Sequence, residues 1–374
     1  MHARVRGALV TVGGIAVAAA LVVGQRPAFT AENGAEAVNP HAGHAGHGAH
    51  AAHMASPGAG AAALDAVDRI RAMADAGDIH AGHALEVMGY MQQPGAQGTV
   101  PVPANPNLPA DNEGAAARLA ASPRKGEYVT IDVNGTPMRT WVVLPEGTGK
   151  APVVVVIQEV FGLADWIRGV ADQLAKEGFI AVAPDLLAGR GPNNTDSRGF
   201  ASQQEAVPAT LAMPAAEVLA KMKAAREWGV KHARSNGKTA SVGFCFGGSQ
   251  SFALAIGEPG LDAAVVYYGS APTDQPRPAQ GQPAPPFEPS PTLANIKAPV
   301  LGLFGGLKED ARIGVTIAPT EAKLKELMKT HDFHVFDGAA HGFLRAQGGN
   351  NGANLKASQE AWPLTVAWIK KYAS

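Results

Sequence analysis

The sequence predicts a doubly wound, mostly parallel α/β sheet, because apolar strands alternate with helices along most of the chain. An antiparallel hairpin precedes this alternation: the turn dipeptide Asn134-Gly135 lies between alternating apolar segments at 128–133 and 138–144. The first strand after the hairpin, at 153–157, is an unbroken run of Val and Ile. Such a run is typical of a strand that helices cover on both faces, which is how parallel strands occur.

The same criteria give each later element. We predict helices at 166–177, 215–234, 249–256, 319–329 and 358–372, and strands at 179–183, 240–242, 263–267, 300–304 and 332–336. Two segments interrupt the alternation: 188–212 reads as a polar crossing, and 272–291 is rich in proline and reads as a surface excursion.

The α/β domain is predicted to occupy residues 122–374, after three appended segments. Residues 1–27 have a basic start followed by a stretch free of charge, which indicates a signal peptide or a membrane anchor. Residues 28–63 form a His/Ala/Gly-rich, low-complexity tether, and 64–121 a helical and Pro-rich extension with a short helix at 115–121. We therefore expect a protein that is exported (periplasmic or secreted), or anchored in a membrane and facing outside.

Charge and histidine content limit the partners. The 31 Lys+Arg and 32 Asp+Glu residues nearly balance, so nothing indicates a nucleic-acid partner. Histidines recur at every third position of the tether (His41, His44, His47, His50 and His53), and imidazole binds Zn, Cu or Ni. We favour the simpler interpretation, in which they belong to a soluble tether of simple repeat. In the extension, His80 and His83 are interpreted as a pair on the surface.

The only cysteine, Cys245, lies in Gly243-Phe-Cys-Phe-Gly247, between a predicted strand and a predicted helix. A nucleophile held on a sharp strand-to-helix turn requires this pattern, since side chains at Gly243 and Gly247 would collide with neighbouring backbone. The helix N-terminus would favour the thiolate. The alternative is a small cysteine buried in the core.

A cysteine nucleophile requires a base, and the base requires an acid that orients it. In strand-turn-helix enzymes of this kind, the acid and then the histidine follow the nucleophile along the chain, each just after a strand. Asp310 and His341 have this order and this placement. Glu309 and Asp337 compete for the role of the acid, because they adjoin the same two strand ends.

The expected oxyanion hole takes one N–H group from Phe246 and a second from the loop after the 153–157 strand, where Val160 is the predicted donor. Glu159 in that loop is expected to face the thiol. A carboxylate there would either raise the thiol pKa or act as a local base for the thiol. A surface acid without a catalytic role is the alternative reading of Glu159.

Five motifs together resemble one family: Glu159 followed by Phe161-Gly162, Ala183-Pro184-Asp185-Leu186, Gly243-x-Cys245-x-Gly247-Gly248, Asp310 after a strand ending in Phe-Gly, and His341-Gly342-Phe343. From residue 122 to the end, the sequence resembles the dienelactone hydrolase family. The resemblance implies an α/β-hydrolase fold and a Cys245-His341-Asp310 triad, with Glu159 controlling ionisation of the thiol. It also implies that lactones or esters are hydrolysed through a thioester, without a metal or other cofactor, and that Arg345 and Arg190 bind the substrate.

Three alternatives remain open at this point. The same triad would serve a general carboxylesterase, whose partner would likewise be a small-molecule ester. A non-catalytic, exported metal-binding protein would instead use the histidine tract. A redox sensor would use the single thiol.

Overall fold

An eight-stranded, mostly parallel sheet is the centre of the structure, in the order β1-β2-β4-β3-β5-β6-β7-β8. The computed structural model describes residues 57–78, 80–82, 84–85, 99–276 and 285–374. The strands in it are β1 (Glu127–Val133), β2 (Thr136–Val143), β3 (Ala151–Ile157), β4 (Ile180–Pro184), β5 (Ser235–Phe244), β6 (Ala263–Tyr267), β7 (Val300–Gly305) and β8 (His331–Phe336). Among these strands β2 runs against the others: it pairs antiparallel with β1 and with β4, and every other pair in this sheet is parallel.

The helices of the described residues lie before, between and after these strands. They are α1 (Pro57–Asp75), α2 (Ala115–Ala121), α3 (Asp165–Lys176), α4 (Gln203–Leu211), α5 (Ala215–Lys231), α6 (Phe246–Gly257), α7 (Ala311–Glu326) and α8 (Ala353–Tyr372). The predicted class, a doubly wound and mostly parallel α/β sheet, is confirmed.

The side chains of β3 show why the sheet is buried on both faces. Val154 and Val156 pack against α3 and α8, whereas Val155 and Ile157 point the other way, toward α5, α6 and α7. Successive side chains of a strand point to opposite faces of the sheet. Because helices cover both faces here, all four side chains are fully buried. The hairpin is also confirmed: Val133 pairs with Thr136, and Asn134 and Gly135 have φ of 52° and 82°, the backbone that a two-residue turn requires.

Two predictions about the helices were wrong. The polar crossing at 188–212 contains α4, whose first turn is capped by Ser202: its hydroxyl accepts the N–H of Glu205 at 3.3 Å. The pattern Ser-x-x-Glu is a helix start signal that the polar composition obscured. The helix predicted from Pro319 begins earlier, at Ala311, because Ile313 and Ile317 already bury an apolar face one turn apart.

The extension packs with the α/β domain, and all described residues belong to one unit. Its helix α2 has the predicted bounds. The side chains of Gln347 and Trp166 donate to the carbonyls of Pro109 and Ala110, at 2.9 and 3.1 Å. Within the described part of the chain, no helix is long and apolar enough to cross a membrane. The predicted leader and the histidine tract lie outside the described residues, so both stay predictions.

Candidate active site

Cys245 lies on the turn between β5 and α6, and its backbone is strained. Its φ of 56° and ψ of −117° are uncommon for any residue with a side chain. Such strain persists only where the surrounding structure imposes it, and it is typical of functional turns. The N–H of Cys245 donates to the carbonyl of Tyr267 at 3.1 Å, so the turn is held against the end of β6. The predicted strand-turn-helix is therefore present.

The glycines around Cys245 are required by close backbone contacts. A Cβ atom at Gly243 would lie 1.9 Å from the carbonyl oxygen of Gly247, and one at Gly247 would lie 2.3 Å from that of Ile157. These neighbours are main-chain atoms at the ends of packed strands, so they cannot move aside cheaply. Any larger residue at either position would displace the turn and the cysteine on it.

Asp310 and His341 meet at the carboxyl edge of the sheet. His341 Nδ1 lies 2.9 Å from Asp310 Oδ2, and both side chains are buried. The carboxylate accepts from Nδ1–H, which leaves Nε2 as the nitrogen available for the thiol. Asp310 immediately precedes α7, and His341 follows β8 in a loop. The two loops are tied together, because the N–H of Gly306 donates to the carbonyl of Ala339 at 2.8 Å.

His341 also interacts with Cys245. Burial lowers the pKa of His341, but the charge of Asp310, the charge of Cys245 and hydrogen bonds to both raise it well above the usual 6.5. An imidazole that carries a carboxylate on one nitrogen and a thiol beside the ring is suited to accept the thiol proton. The structure thus brings the three predicted triad residues together, from three separate loops.

Glu159 and Arg345 form a buried ion pair beside this triad. The guanidinium donates to Glu159 Oε2 at 2.5 Å, and the exposed fraction of each side chain is 2%. A second nitrogen of Arg345 donates to Gln203 of α4 at 2.8 Å. The guanidinium also stacks 4.7 Å from the ring centre of Phe161. Glu159 is therefore not a surface acid, and Arg345 holds it in place.

Tyr268 is a site residue that sequence reasoning missed. Because Phe244 pairs with Tyr267 across β5 and β6, the next residues, Cys245 and Tyr268, are neighbours. The Tyr268 ring lies 5.0 Å from that of His341, and its φ is 37°. Burial, and then the charges of Glu159 and Cys245, raise its pKa well above 10. No described residue hydrogen-bonds to its buried hydroxyl.

Comparison with known proteins decides the family. The model of the dienelactone hydrolase family matches residues 138–373, more than half of the chain. The chain belongs to the dienelactone hydrolase family. It is therefore an enzyme of the lactone and ester hydrolase class.

Individual relatives agree with this family assignment. A protein of Methylorubrum extorquens assigned as a carboxymethylenebutenolidase is 29% identical, over 65% of this chain and 84% of its own length. A protein of Escherichia coli O157:H7 with the same assignment is 28% identical, over 66% of this chain and 86% of its own length. The crystal structure of a Klebsiella pneumoniae protein assigned as a dienelactone hydrolase is 26% identical, with a TM-score of 0.55, and covers 67% of this chain and 100% of the other.

Not every predicted site residue of this dienelactone hydrolase family member contacts the triad. Arg190 donates from Nε to Glu217 of α5 at 3.0 Å and pairs with the second carboxylate oxygen through its other nitrogen. Lys221 also donates to Glu217, at 2.8 Å. The carboxylate raises the pKa of Arg190. Arg190 thus lies in a surface ion pair, and its role in substrate binding stays a prediction.

The oxyanion roles of Phe246 and Val160 stay predictions, and the structure gives only the positions of the two residues. Phe246 is the first residue of α6, and N–H groups in the first turn of a helix have no partner within that helix. Val160 follows β3 by three residues and is fully buried. Gly162, with φ of 79°, turns the chain two residues after Val160. Phe246 directly follows Cys245, and Val160 belongs to the same buried apolar cluster as Phe246.

A cavity of about 420 Å³ lies beside Arg345 and the residues that contact it. Phe161 and Gln203, which both contact Arg345, line it, together with Arg139, Arg168 and Arg198. The arginines are paired with acids: Arg139 Nε lies 3.2 Å from Asp196 Oδ2. Within the described residues, no group of three or more His, Cys, Asp or Glu side chains is arranged to hold a metal ion.

Proposed function

We propose that this enzyme hydrolyses lactones or carboxylic esters through Cys245 as nucleophile, His341 as base and Asp310 as the residue that orients the histidine. One observation carries the proposal. His341 and Asp310 are buried and 2.9 Å apart, and His341 interacts with the thiol of Cys245, which lies on a strained strand-to-helix turn. The order cysteine, acid, histidine along the chain supports the same assignment.

In the first half of the reaction, His341 Nε2 accepts the thiol proton and the Cys245 sulfur attacks the carbonyl carbon. The carbonyl oxygen becomes an oxyanion that the N–H groups of Phe246 and Val160 stabilise. When the tetrahedral intermediate collapses, the carbon–oxygen single bond breaks. The leaving alkoxide takes the proton from His341. A thioester remains on Cys245, and for a lactone the alcohol stays attached to it.

In the second half, a water molecule attacks the thioester. His341 accepts a proton from the water, and the same two N–H groups bind the new oxyanion. The carbon–sulfur bond then breaks, the sulfur regains a proton from His341, and the carboxylic acid leaves. Asp310 stays ionised throughout and stabilises the imidazolium that forms twice.

Glu159 and Arg345 would link a negative charge on the substrate to activation of the Cys245 thiol. Arg345 is bound to Glu159 in the free enzyme, and its planar donors suit a carboxylate. A substrate carboxylate that binds Arg345 competes with Glu159 for the same guanidinium. Glu159 released in this way is free to act on the thiol as a local base. This supports a lactone or ester that bears a carboxylate as the substrate class.

The direct test is hydrolysis of p-nitrophenyl acetate by the wild type and by Cys245→Ala. We expect kcat/KM to fall by about 10³-fold or more in the variant, since nucleophile removal in such triads costs at least that much. Mass spectrometry of the wild type under single-turnover conditions should detect an acetyl group on Cys245. If Cys245→Ala is as active as the wild type and has an unchanged melting temperature, the proposal is refuted.

A second measurement separates the two substrate classes. A panel of lactones and a panel of acyl esters, each with and without a carboxylate, should give the highest kcat/KM for carboxylate-bearing members. Hydrolysis confined to neutral acyl esters would instead favour a general carboxylesterase on the same triad.

A further inference from the structure

We propose that His80 is a specificity-determining residue of this active site, which limits the size of the group bonded to the substrate's carbonyl carbon. The inference rests on the proposed function, because it takes Phe246 as an oxyanion donor. His80 belongs to the extension and precedes the residues 138–373 that match the family. It is thus a contribution of this chain's own N-terminal segment to the site.

The contact that carries the proposal joins His80 to the residue after the nucleophile. The ring centres of His80 and Phe246 are 5.7 Å apart and the rings are nearly perpendicular, at 81°. Such edge-to-face contacts are attractive and hold both rings in place. His80 is partly buried, and its ring lies beside that of Phe246. A carbonyl oxygen bound by the N–H of Phe246 would place the neighbouring carbon substituent close to these two rings.

The position of His80 is built into the structure. The buried carboxylate of Asp78 accepts the N–H groups of His80 and Ala81, each at 3.0 Å, through a single oxygen. The carbonyl of Asp78 accepts the N–H of Gly82 at 3.0 Å, which starts a helical turn. Asp78 therefore acts as an N-cap for the residues that follow it. Removing this cap would free His80 from Phe246 without altering either ring.

Apolar packing anchors the same turn on the catalytic loops. Ala81 and Ala84 are buried in one cluster with Val160, Phe161 and Phe246. These partners come from the loop after β3 and from the start of α6, which supply the proposed oxyanion donors. The turn thus belongs to the same apolar cluster as both proposed donors.

A second anchor lies next to the triad acid. The guanidinium of Arg312 lies so close to Gly82 that a Cβ atom there would be 1.1 Å from Arg312 Nη1. Arg312 is in the first turn of α7, two residues after Asp310. The extension is therefore in contact with the first turn of α7 as well as with Phe246, and Cys245 is only 3% exposed. A substrate must fit between these fixed elements.

The experiment compares p-nitrophenyl acetate with p-nitrophenyl butyrate in the full-length wild type and in His80→Ala. We expect the ratio of kcat/KM for butyrate to that for acetate to rise about tenfold in the variant, since one or two methylenes in a pocket change kcat/KM by about that factor. His80→Phe keeps an aromatic ring at this position and should restore the wild-type ratio. Asp78→Ala should raise the ratio as His80→Ala does, and Asp78→Asn, which keeps an oxygen acceptor, should raise it less.

Two control variants make the same types of substitution away from the contact between His80 and Phe246. Asp75→Ala removes an exposed carboxylate three residues before Asp78, and His232→Ala removes a histidine just before the start of β5, at the opposite edge of the sheet from Cys245. Both should leave the ratio unchanged. An unchanged ratio in His80→Ala, or a raised ratio that His80→Phe fails to restore, overturns the inference. Since Cys245→Ala tests the proposed function by itself, loss of activity there together with an unchanged His80→Ala ratio would overturn this inference alone.

Discussion

Among single residues of the site, Glu159 and Arg345 form a buried pair of opposite charges. Their charges are buried from water, and desolvation of two ions costs several kcal/mol each, which the mutual attraction only offsets when the geometry is good. Arg345 meets this condition through the Glu159 carboxylate, the Gln203 amide oxygen and the face of Phe161. The pair is thus held by several contacts. Removing either side chain would leave the charge of the other buried without its ion-pair partner.

We predict a strong coupling between these two residues. Arg345→Met should lower the free energy of unfolding by about 3–5 kcal/mol, because it leaves the Glu159 charge buried and unpaired. The double variant Glu159→Gln/Arg345→Met should be more stable than Arg345→Met, since it removes the stranded charge. Urea unfolding measures both.

The exposed i,i+4 pair of Glu227 and Lys231 serves as the control for this cycle, and its two single variants and double variant should show no measurable coupling. A double variant at Glu159 and Arg345 whose destabilisation equals the sum of the two singles would contradict the predicted coupling.

At the scale of elements, the turn between β5 and α6 depends on backbone atoms of three strands meeting within van der Waals distance. Gly247 lies against the carbonyls of Ile157 and Gln158 at the end of β3, and Gly248 lies against the carbonyl of Tyr267 at the end of β6. The turn can carry Cys245 at positive φ only because these positions have no side chain.

Gly247→Ala is therefore expected to destabilise the protein by about 3 kcal/mol or more, since the new Cβ would lie 2.3 Å from a strand carbonyl. Gly169→Ala is the matched control. Gly169 lies inside α3, and a Cβ there would meet only Ala115 Cβ at 3.9 Å. That substitution should be neutral or stabilising by up to about 1 kcal/mol. Thermal unfolding measures both, and equal melting temperatures for the two variants would refute the steric argument.

The parts of the site that the sequence predicts are those encoded locally. The glycines around Cys245 and the strand-end positions of Asp310 and His341 are each visible within a few residues, and the structure brings these three side chains together. The parallel sheet is equally visible, because strands and helices alternate. These features require no knowledge of which distant segments touch.

What could not be predicted depends on contacts between distant segments. The pairing of Glu159 with Arg345 joins the loop after β3 to the loop after β8, and no local pattern shows it. Tyr268 could have been found, because it directly follows the strand predicted at 263–267. His80 was interpreted as a surface residue, since nothing in its own segment shows that Phe246 lies against it.

Across the whole molecule, the active site is an edge where separate parts of the chain converge. The loops after β3, β5, β7 and β8 supply Glu159, Cys245, Asp310 and His341, and the extension contacts the residue after Cys245 through His80. The extension also holds the last of these loops, since the N–H of Asn112 donates to the carbonyl of Arg345 at 2.8 Å. The site is therefore built from segments that are distant along the chain, and a site residue whose pKa changes on folding links its protonation to global stability.

His341 makes this coupling measurable as a function of pH. Burial lowers its pKa, but Asp310 and Cys245 raise it well above 6.5, so the folded state binds the proton more tightly than the unfolded state. The resulting stabilisation is complete below about pH 6.5 and is lost as the pH rises through the folded-state pKa. The melting temperature of the wild type should therefore exceed that of His341→Gln most at pH 5–6 and least at high pH. Asp310→Asn should weaken this pH dependence, because it removes the main charge that raises the pKa. A difference between wild type and His341→Gln that grows with pH would show that folding lowers the pKa of His341 instead.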